Sequence, residues 1–155
     1  MGAAIALRTA ESDPRIRALI LEAPYADLRQ TLAKVLKRYR LPLAQGLARL
    51  TLARAAKLAG TALDQPRPVD LAAKVKTPTL IVRGAADRLV SIEETDRLAK
   101  AFPSPPERLE IPQAGHRDVF AVGGIGLVET IGAFLDRAMP PAKAAVSEED
   151  RGVDR

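Results

Sequence analysis

The stretch that decides the fold runs from Pro78 to Val90 and reads PTLIVRGAADRLV. Within it, residues 79–82 form a short, β-branched and continuously apolar run, which is typical of a parallel strand buried on both faces of a sheet. Gly84 ends this run, and Asp87 follows on the loop beyond the carboxyl end of the strand. Open α/β sheets collect their chemistry at that end of their strands. The stretch therefore predicts a parallel sheet with an acidic side chain at its carboxyl edge.

The residues after this stretch bring a histidine to the same edge. Ser91 stands three residues before Glu94, a capping box that predicts a helix from Ile92 onward. A second strand is predicted at residues 108–111, and the only histidine of the chain, His116, comes just beyond it. Because neighbouring parallel strands end at the same edge of a sheet, we expect the acid and the histidine to lie close together.

The chain before this stretch supplies a third strand and a helical insertion. Residues 16–22 are predicted as a buried strand, and apolar stripes of helical period between residues 28 and 62 predict two or three helices that form a lid over the carboxyl edge. After the histidine, Gly123 and Gly124 are predicted to open a final helix. The predicted fold class is α/β, with three parallel strands side by side in chain order and helices on both faces.

Three segments together resemble the α/β-hydrolase superfamily, and more closely its BEM46-like and serine-aminopeptidase-like serine hydrolases. They are the acid loop at residues 84–90, Gly115-His116 in the histidine loop, and the opening MGAAIAL of residues 1–7. In that family the nucleophile elbow reads G-x-S-x-G and runs straight into a helix. Met1-Gly2 resembles the last two positions of this motif, so the serine would stand one place before Met1. The resemblance covers only the C-terminal half of the family's fold.

The resemblance implies a serine hydrolase that acts on an ester, amide or similar acyl substrate without a metal or cofactor. His116 would be the general base, Asp87 the acid that orients it, and the backbone N–H of Met1 an oxyanion donor if the chain extends upstream. Asp27 is a rival for the acid, although it is also placed to cap the next helix. We expect residues 1–155 alone to lack hydrolase turnover, because no serine of this chain is placed to serve the histidine.

Length and composition indicate one globular domain. The chain has 155 residues, of which 47% are hydrophobic and 28% charged. Residues 1–139 are predicted as the C-terminal part of an α/β-hydrolase domain, and residues 140–155, charged and poor in apolar side chains, as a disordered tail. The lack of cysteine and the single histidine exclude thiolate and histidine-rich metal sites. No stretch is expected to approach the roughly 18 apolar residues of a membrane span, and no signal peptide is visible, so the expected location is cytoplasmic.

Basic residues are concentrated in the lid. The net charge is +5, and the segment from Leu28 to Leu63 contains no acidic residue but eight basic ones: Arg29, Lys34, Lys37, Arg38, Arg40, Arg49, Arg54 and Lys57. One interpretation is a solvated helix face. The alternative is a non-catalytic interaction module whose basic face binds anionic lipid or nucleic acid. Nucleic acid is the less favoured partner, because aromatic residues for base stacking are scarce. Binding to a membrane surface and the oligomeric state stay open.

Overall fold

The computed structural model describes residues 2–140. In chain order the elements are α1 (Gly2–Ser12), β1 (Leu19–Glu22), α2 (Leu28–Arg38), α3 (Ala44–Ala59), α4 (Pro68–Ala72), β2 (Thr79–Gly84), α5 (Ile92–Ala99), β3 (Glu107–Ile111) and α6 (Val119–Ala138). The strands form one parallel sheet in the order β1-β2-β3. The predicted α/β fold with three parallel strands side by side is confirmed. Met1 and residues 141–155 lie outside the described residues. Of the predicted tail at residues 140–155, the structure therefore describes only residue 140.

The central strand β2 is buried on both of its faces. Leu80, Ile81 and Val82 are each about 1% exposed. Their side chains alternate between the two layers of the core, with Ile81 packed on one face and Leu80 and Val82 on the other. A strand with apolar packing on both sides has no polar positions, which is why a continuous apolar run marks it in the sequence.

One face of the sheet, which we call the closed face, is covered by α1, α4 and α5. Its buried cluster joins Ile81 to Leu7 of α1, Leu71 of α4 and Leu98 of α5. None of these side chains is more than 4% exposed. The three helices also contact one another, α4 lying against both α1 and α5. This layer therefore forms a continuous apolar core.

The opposite face, which we call the open face, is covered within residues 2–140 by α6 alone. Leu127 and Phe134 are buried against the sheet, at 1% and 2% exposure. Four other large apolar side chains of the same helix are between 47% and 78% exposed: Phe120, Val122, Ile125 and Val128. The strand residues Ile20 and Leu109 are only partly buried on this side. One helix thus covers this face incompletely.

One expectation about α6 is wrong. By length and composition Val119–Ala138 could cross a membrane, with a mean hydropathy of 1.6 in its most apolar window, although one side of the helix packs on the sheet. Valine, isoleucine, leucine and phenylalanine raise this mean, and glycines separate them so that no long run of large apolar residues forms. A short helical turn precedes the glycine pair, and Gly124 interrupts α6 with φ 52° and ψ −143°. Only glycine adopts this conformation readily, so the longer part of α6, which packs on the sheet, begins after the pair as predicted.

The predicted lid consists of α2 and α3, which pack against each other. Asp27 caps α2, because its side-chain Oδ1 accepts the backbone N–H of Gln30 at 3.0 Å. α3 contributes few buried side chains, and large apolar residues such as Leu50 and Leu58 are 68% and 77% exposed. The lid is therefore held mainly through α2.

Polar contacts tie α2 to α5 and overturn one detail of the sequence analysis. Lys34 Nζ lies 3.1 Å from Oε1 of Glu94, whose side chain is only 3% exposed. Arg97 of α5 donates to the side-chain oxygen of Gln30 at 2.6 Å. The helix begins at Ile92 as predicted, but the side chain of Ser91 makes no capping bond. The expected capping box is absent because the Glu94 carboxylate is turned toward the lid lysine.

Candidate active site

The loop after β2 holds the carboxylate of Asp87 by both of its oxygens. Oδ1 accepts the backbone N–H groups of Leu89 and Val90 at 2.8 and 3.0 Å. Oδ2 lies 2.8 Å from Nδ1 of His116. The Asp87 side chain is 2% exposed, so its charge is shielded from water and is balanced by these three contacts. Its orientation is set by the backbone of its own loop.

The histidine loop is fixed against the end of β2 by close backbone contact. The N–H of Ala86 donates to the carbonyl of Ala114 at 2.8 Å. A Cβ atom on Gly84 would stand 2.2 Å from that same carbonyl oxygen, so only glycine fits there. The N–H of Gly115 donates to the carboxylate of Asp118 at 2.5 Å. These contacts place the histidine at the same sheet edge as the acid.

The contact between the two side chains determines which histidine nitrogen carries the proton. An ionised carboxylate only accepts hydrogen bonds, so Nδ1 of His116 must donate to Asp87. Nε2 is then unprotonated in the neutral ring and is available to accept a proton. The His116 side chain is 33% exposed, which leaves the ring accessible from the cavities beside it. The arrangement can orient an imidazole and stabilise the cation that forms when it takes up a proton.

A cavity of about 770 Å³, which we call the lid cavity, lies between the lid and the sheet edge. Gly2, Ala3 and Ala6 at the start of α1 line one part of it, and His116 lines another. Much of the remaining wall is apolar and comes from α2 and the acid loop: Leu28, Leu32, Val35, Leu89 and Val90. The buried phenol of Tyr25 also lines it, and burial raises the pKa of that phenol. The cavity thus joins the histidine to the N-terminus of a helix.

The structure brings two of the sequence-predicted site residues together and separates a third from them. Asp87 and His116 are in direct contact. Asp27 caps α2 instead, and it lines a different cavity between the lid helices. Met1 lies outside the described residues. Its neighbour Gly2 lines the lid cavity, so the start of α1 is on the same side of the sheet edge as the histidine.

Solved structures with this arrangement of elements are numerous. The esterase domain of a Rhodothermus marinus protein matches 88% of this chain at 20% identity, with a TM-score of 0.61. The Pyrococcus furiosus esterase Pf2001 matches 90% of it at 24% identity and a TM-score of 0.62. MGS-M2, an α/β-hydrolase enzyme from a Medee basin deep-sea metagenome library, matches 86% of this chain at 21% identity, with a TM-score of 0.58. The chain has part of the α/β-hydrolase fold.

The match to this α/β-hydrolase fold is partial on the side of the known structures. The chain spans 56%, 51% and 62% of the length of those three proteins, in the same order. Identities below 25% establish the shared fold and do not transfer an activity. The sequence matches no protein-family model and no curated protein. The finer assignment to BEM46-like or serine-aminopeptidase-like enzymes stays a prediction.

The arginines around the histidine were not predicted as site residues, although Arg38 was named among the basic residues of the lid. Arg117 lines the lid cavity and also a second cavity next to His116. Its position directly after the histidine was a signal that could have drawn attention to it. Arg38 and Arg88 also line the second cavity. They come from the lid and the acid loop, so only the folded chain shows that they meet.

Proposed function

We propose that Asp87 and His116 are the acid and base of a serine hydrolase that cleaves an ester, an amide or a similar acyl substrate. The observation that carries this proposal is the 2.8 Å contact between Asp87 Oδ2 and His116 Nδ1 at the end of neighbouring parallel strands. The contact supplies an oriented base beside a largely apolar cavity. The α/β-hydrolase fold, which the chain shares with solved esterases, supports this chemistry by analogy.

In the proposed reaction the nucleophile is a serine that precedes α1 in the chain. Its hydroxyl oxygen attacks the acyl carbon while Nε2 of His116 takes the hydroxyl proton. In this proposal the backbone N–H of Met1, the residue after the serine, is one donor to the oxyanion. His116 then gives the proton to the leaving oxygen or nitrogen, and water releases the acyl group by the same route. Asp87 orients the ring and stays ionised throughout.

The hydroxyl groups of the described residues do not offer an alternative nucleophile at the lid cavity. Thr31 carries the aliphatic hydroxyl group that lines this cavity beside the Tyr25 phenol, but its Oγ1 donates to the carbonyl of Asp27 at 2.9 Å and the residue is 7% exposed. The serines of residues 2–140 lie elsewhere: Ser12 at the end of α1, Ser91 at the start of α5, and Ser104 in the loop before β3. The proposal therefore concerns the protein with its upstream sequence.

The first test needs no turnover, because the chain has a single histidine whose imidazole nitrogens give unambiguous ¹⁵N resonances. In the native chain we expect the proton of the neutral ring on Nδ1. In Asp87→Asn we expect the amide oxygen to accept the N–H groups of Leu89 and Val90, as Oδ1 of the aspartate does. The NH₂ group of the asparagine then points toward His116 and can only donate. The ring proton should then move to Nε2. An unchanged tautomer would contradict the proposed role of Asp87.

The second test is enzymatic and uses the protein with its upstream codons beside residues 1–155 alone. We expect the longer protein to hydrolyse an aryl ester and to react with a fluorophosphonate probe, and the shorter chain to do neither. His116→Ala should lower kcat/KM by about 10²–10⁴-fold, the usual size of a general-base contribution. Asp64→Asn, at a carboxylate outside the pair, is the matched control and should retain activity. Full activity of His116→Ala would refute the proposal.

The alternative of a non-catalytic module with a basic lid face stays a hypothesis. Lys34 pairs with Glu94, and Arg29 lies 4.0 Å from Asp64, so part of the lid's positive charge is already balanced. Binding of the chain to anionic vesicles or to nucleic acid, measured at rising salt, addresses it directly. A phosphate-driven interaction must weaken steeply with ionic strength.

A further inference from the structure

A second cavity of about 500 Å³ lies beside His116, and we call it the arginine cavity. Arg38 from α2, Arg88 from the acid loop and Arg117 from the histidine loop line it, together with Tyr39. No residue of α1 lines it, whereas the lid cavity includes the start of that helix. His116 and Arg117 border both cavities, of which the lid cavity is lined mainly by apolar residues and the arginine cavity by three arginines.

The three guanidinium groups of this cavity carry charge that the described residues do not balance. Within residues 2–140, none of the three lies within 4.0 Å of a carboxylate, although many arginines of the chain form such pairs: Arg15, Arg67, Arg83, Arg97, Arg108 and Arg137. Arg38 donates to the backbone carbonyl of Arg88 at 3.2 Å, which holds the lid side of the cluster near the acid loop. The cavity therefore carries positive charge on three exposed arginines, of which Arg38 is held by this hydrogen bond.

The carboxylates near this cavity are already engaged. Asp118 lines it, but its Oδ1 accepts the N–H of Gly115 at 2.5 Å. Asp87 is bonded to His116 and to two backbone N–H groups, and its side chain is 2% exposed. Three arginines and one aspartate, Asp118, line the cavity, so its lining carries an excess of positive charge. Guanidinium groups bind carboxylate and phosphate oxygens through paired hydrogen bonds.

The position of the cavity indicates which part of a substrate would occupy it. In the proposed reaction His116 returns its proton to the leaving oxygen, so the alcohol part of an ester must lie on the histidine side of the scissile bond. The acyl part must lie where the nucleophile and the start of α1 meet, which is the lid cavity. The arginine cavity borders the histidine and not α1, so it is suited to the alcohol part.

We propose that the substrate is an ester with a neutral aliphatic acyl group and an anionic alcohol part, whose carboxylate or phosphate is bound by Arg38, Arg88 and Arg117. The assignment of the two parts rests on the proposed serine-hydrolase function. The lid cavity is lined mainly by apolar residues, and Glu22 adds a carboxylate that repels an anion, so an anionic acyl group is disfavoured there although Arg117 also lines this cavity. The cationic wall of the arginine cavity favours the same charge on the alcohol side.

A binding experiment tests the anion site without requiring turnover. The imidazole C–H signals of the single histidine are followed by NMR as 4-hydroxybenzoate, 4-hydroxyphenyl phosphate or the neutral 4-hydroxybenzamide is added to the chain at fixed salt. We expect the anions to bind and the amide to bind at least about tenfold more weakly, as loss of one charge-assisted hydrogen bond predicts. The tighter of the two anions identifies the carboxylate or the phosphate as the natural group.

Substitutions locate the site and separate it from the general charge of the protein. Arg88→Gln and Arg117→Gln should each weaken anion binding about tenfold. Arg54→Gln, on α3 and outside both cavities, removes the same charge and should leave it unchanged. Equal weakening by all three variants, or equal binding of the anions and the amide, would overturn the proposal.

A kinetic comparison in the protein with its upstream sequence distinguishes this inference from the proposed function. 4-Carboxyphenyl butyrate is compared with 4-carbamoylphenyl butyrate, and Arg88→Gln and Arg117→Gln should raise KM about tenfold for the first ester only. If both esters are hydrolysed and the substitutions affect them equally, the anion site is refuted and the proposed hydrolase function is not. If the protein binds the anions but its esterase activity survives His116→Ala, the proposed hydrolase function is refuted and the anion site is not.

Discussion

The two faces of the sheet share one central strand but are packed to different degrees. On the closed face, α1, α4 and α5 bury Ile81 within a continuous apolar cluster. On the open face, α6 is the single covering element within residues 2–140 and leaves Ile125 and Val128 largely exposed. Leu80 and Ile81 are adjacent and equally buried, yet the helices that cover them number one on the open face and three on the closed face. Burial of a side chain alone therefore does not measure how firmly its layer is packed.

The largest expected effect compares these two neighbours. Ile81→Ala and Leu80→Ala should each lower the free energy of unfolding by about 2–5 kcal/mol, with the isoleucine nearer the upper limit. Ile81→Ala leaves a cavity that is bordered by three helices packed on one another, and we expect these helices to close it poorly. Leu80→Ala leaves a cavity next to α6 alone, and we expect this helix to shift toward the sheet. Urea denaturation of the two variants measures the difference. An equal or larger loss for Leu80→Ala would mean that the open face is packed as rigidly as the closed one.

The next effect concerns the backbone contact at the end of β2. Gly84→Ala should cost about 1–3 kcal/mol, as overpacking does, because its Cβ would stand 2.2 Å from the Ala114 carbonyl oxygen. It should also displace the histidine loop, which the single histidine's NMR signals would report. Gly126→Ala on α6 is the matched control, since its Cβ meets nothing within 4 Å. That change should be neutral or stabilise the helix by up to about 1 kcal/mol.

A smaller effect should appear only at alkaline pH. Burial raises the pKa of Tyr25 above its ordinary value of 10.0, so the folded state holds this proton more tightly than the unfolded state does. The corresponding stability is complete below pH 10 and is lost as the pH rises through that value toward the folded pKa. Denaturation curves should show this loss in the native chain and less of it in Tyr25→Phe. Tyr39→Phe, at an exposed phenol, is the control and should keep the full alkaline loss.

The smallest expected effect comes from the exposed side of α6. Val128→Gln and Ile125→Gln should each change the free energy of unfolding by less than about 0.5 kcal/mol, because these side chains are 61% and 78% exposed. Analytical ultracentrifugation of the same variants reports whether this apolar surface drives self-association. A loss of stability well above that limit would show that the open face has more apolar contact than the structure describes.

The sheet and the position of the acid–histidine pair were predictable because their signals are local. An apolar run that ends in Gly84 identifies the central strand, and Asp87 and His116 each follow a strand within a few residues. The rule that parallel strands end at one edge then brings them together. The confirmed strand order required only the right-handedness of the connections.

The errors and omissions arose where a distant partner decides the local structure. Glu94 does not complete the expected capping box, because Lys34, 60 positions away, forms an ion pair with it. Arg38 and Arg88, 50 positions apart, meet only because the lid folds back over the acid loop. Short-range patterns contain no information on such pairings.

The lid lies in the connection between β1 and β2, and this position allows the length of the lid to vary. A single helix, α5, joins β2 to β3, so the strands that carry the acid and the histidine are paired through a short connection. The lid adds its residues to the other connection, where the entropy of loop closure grows only with the logarithm of length. Doubling that connection would cost about 0.6 kcal/mol of closure free energy. Insertions and deletions in the lid can therefore reshape the space above His116 while the pairing of β2 with β3 is unaffected.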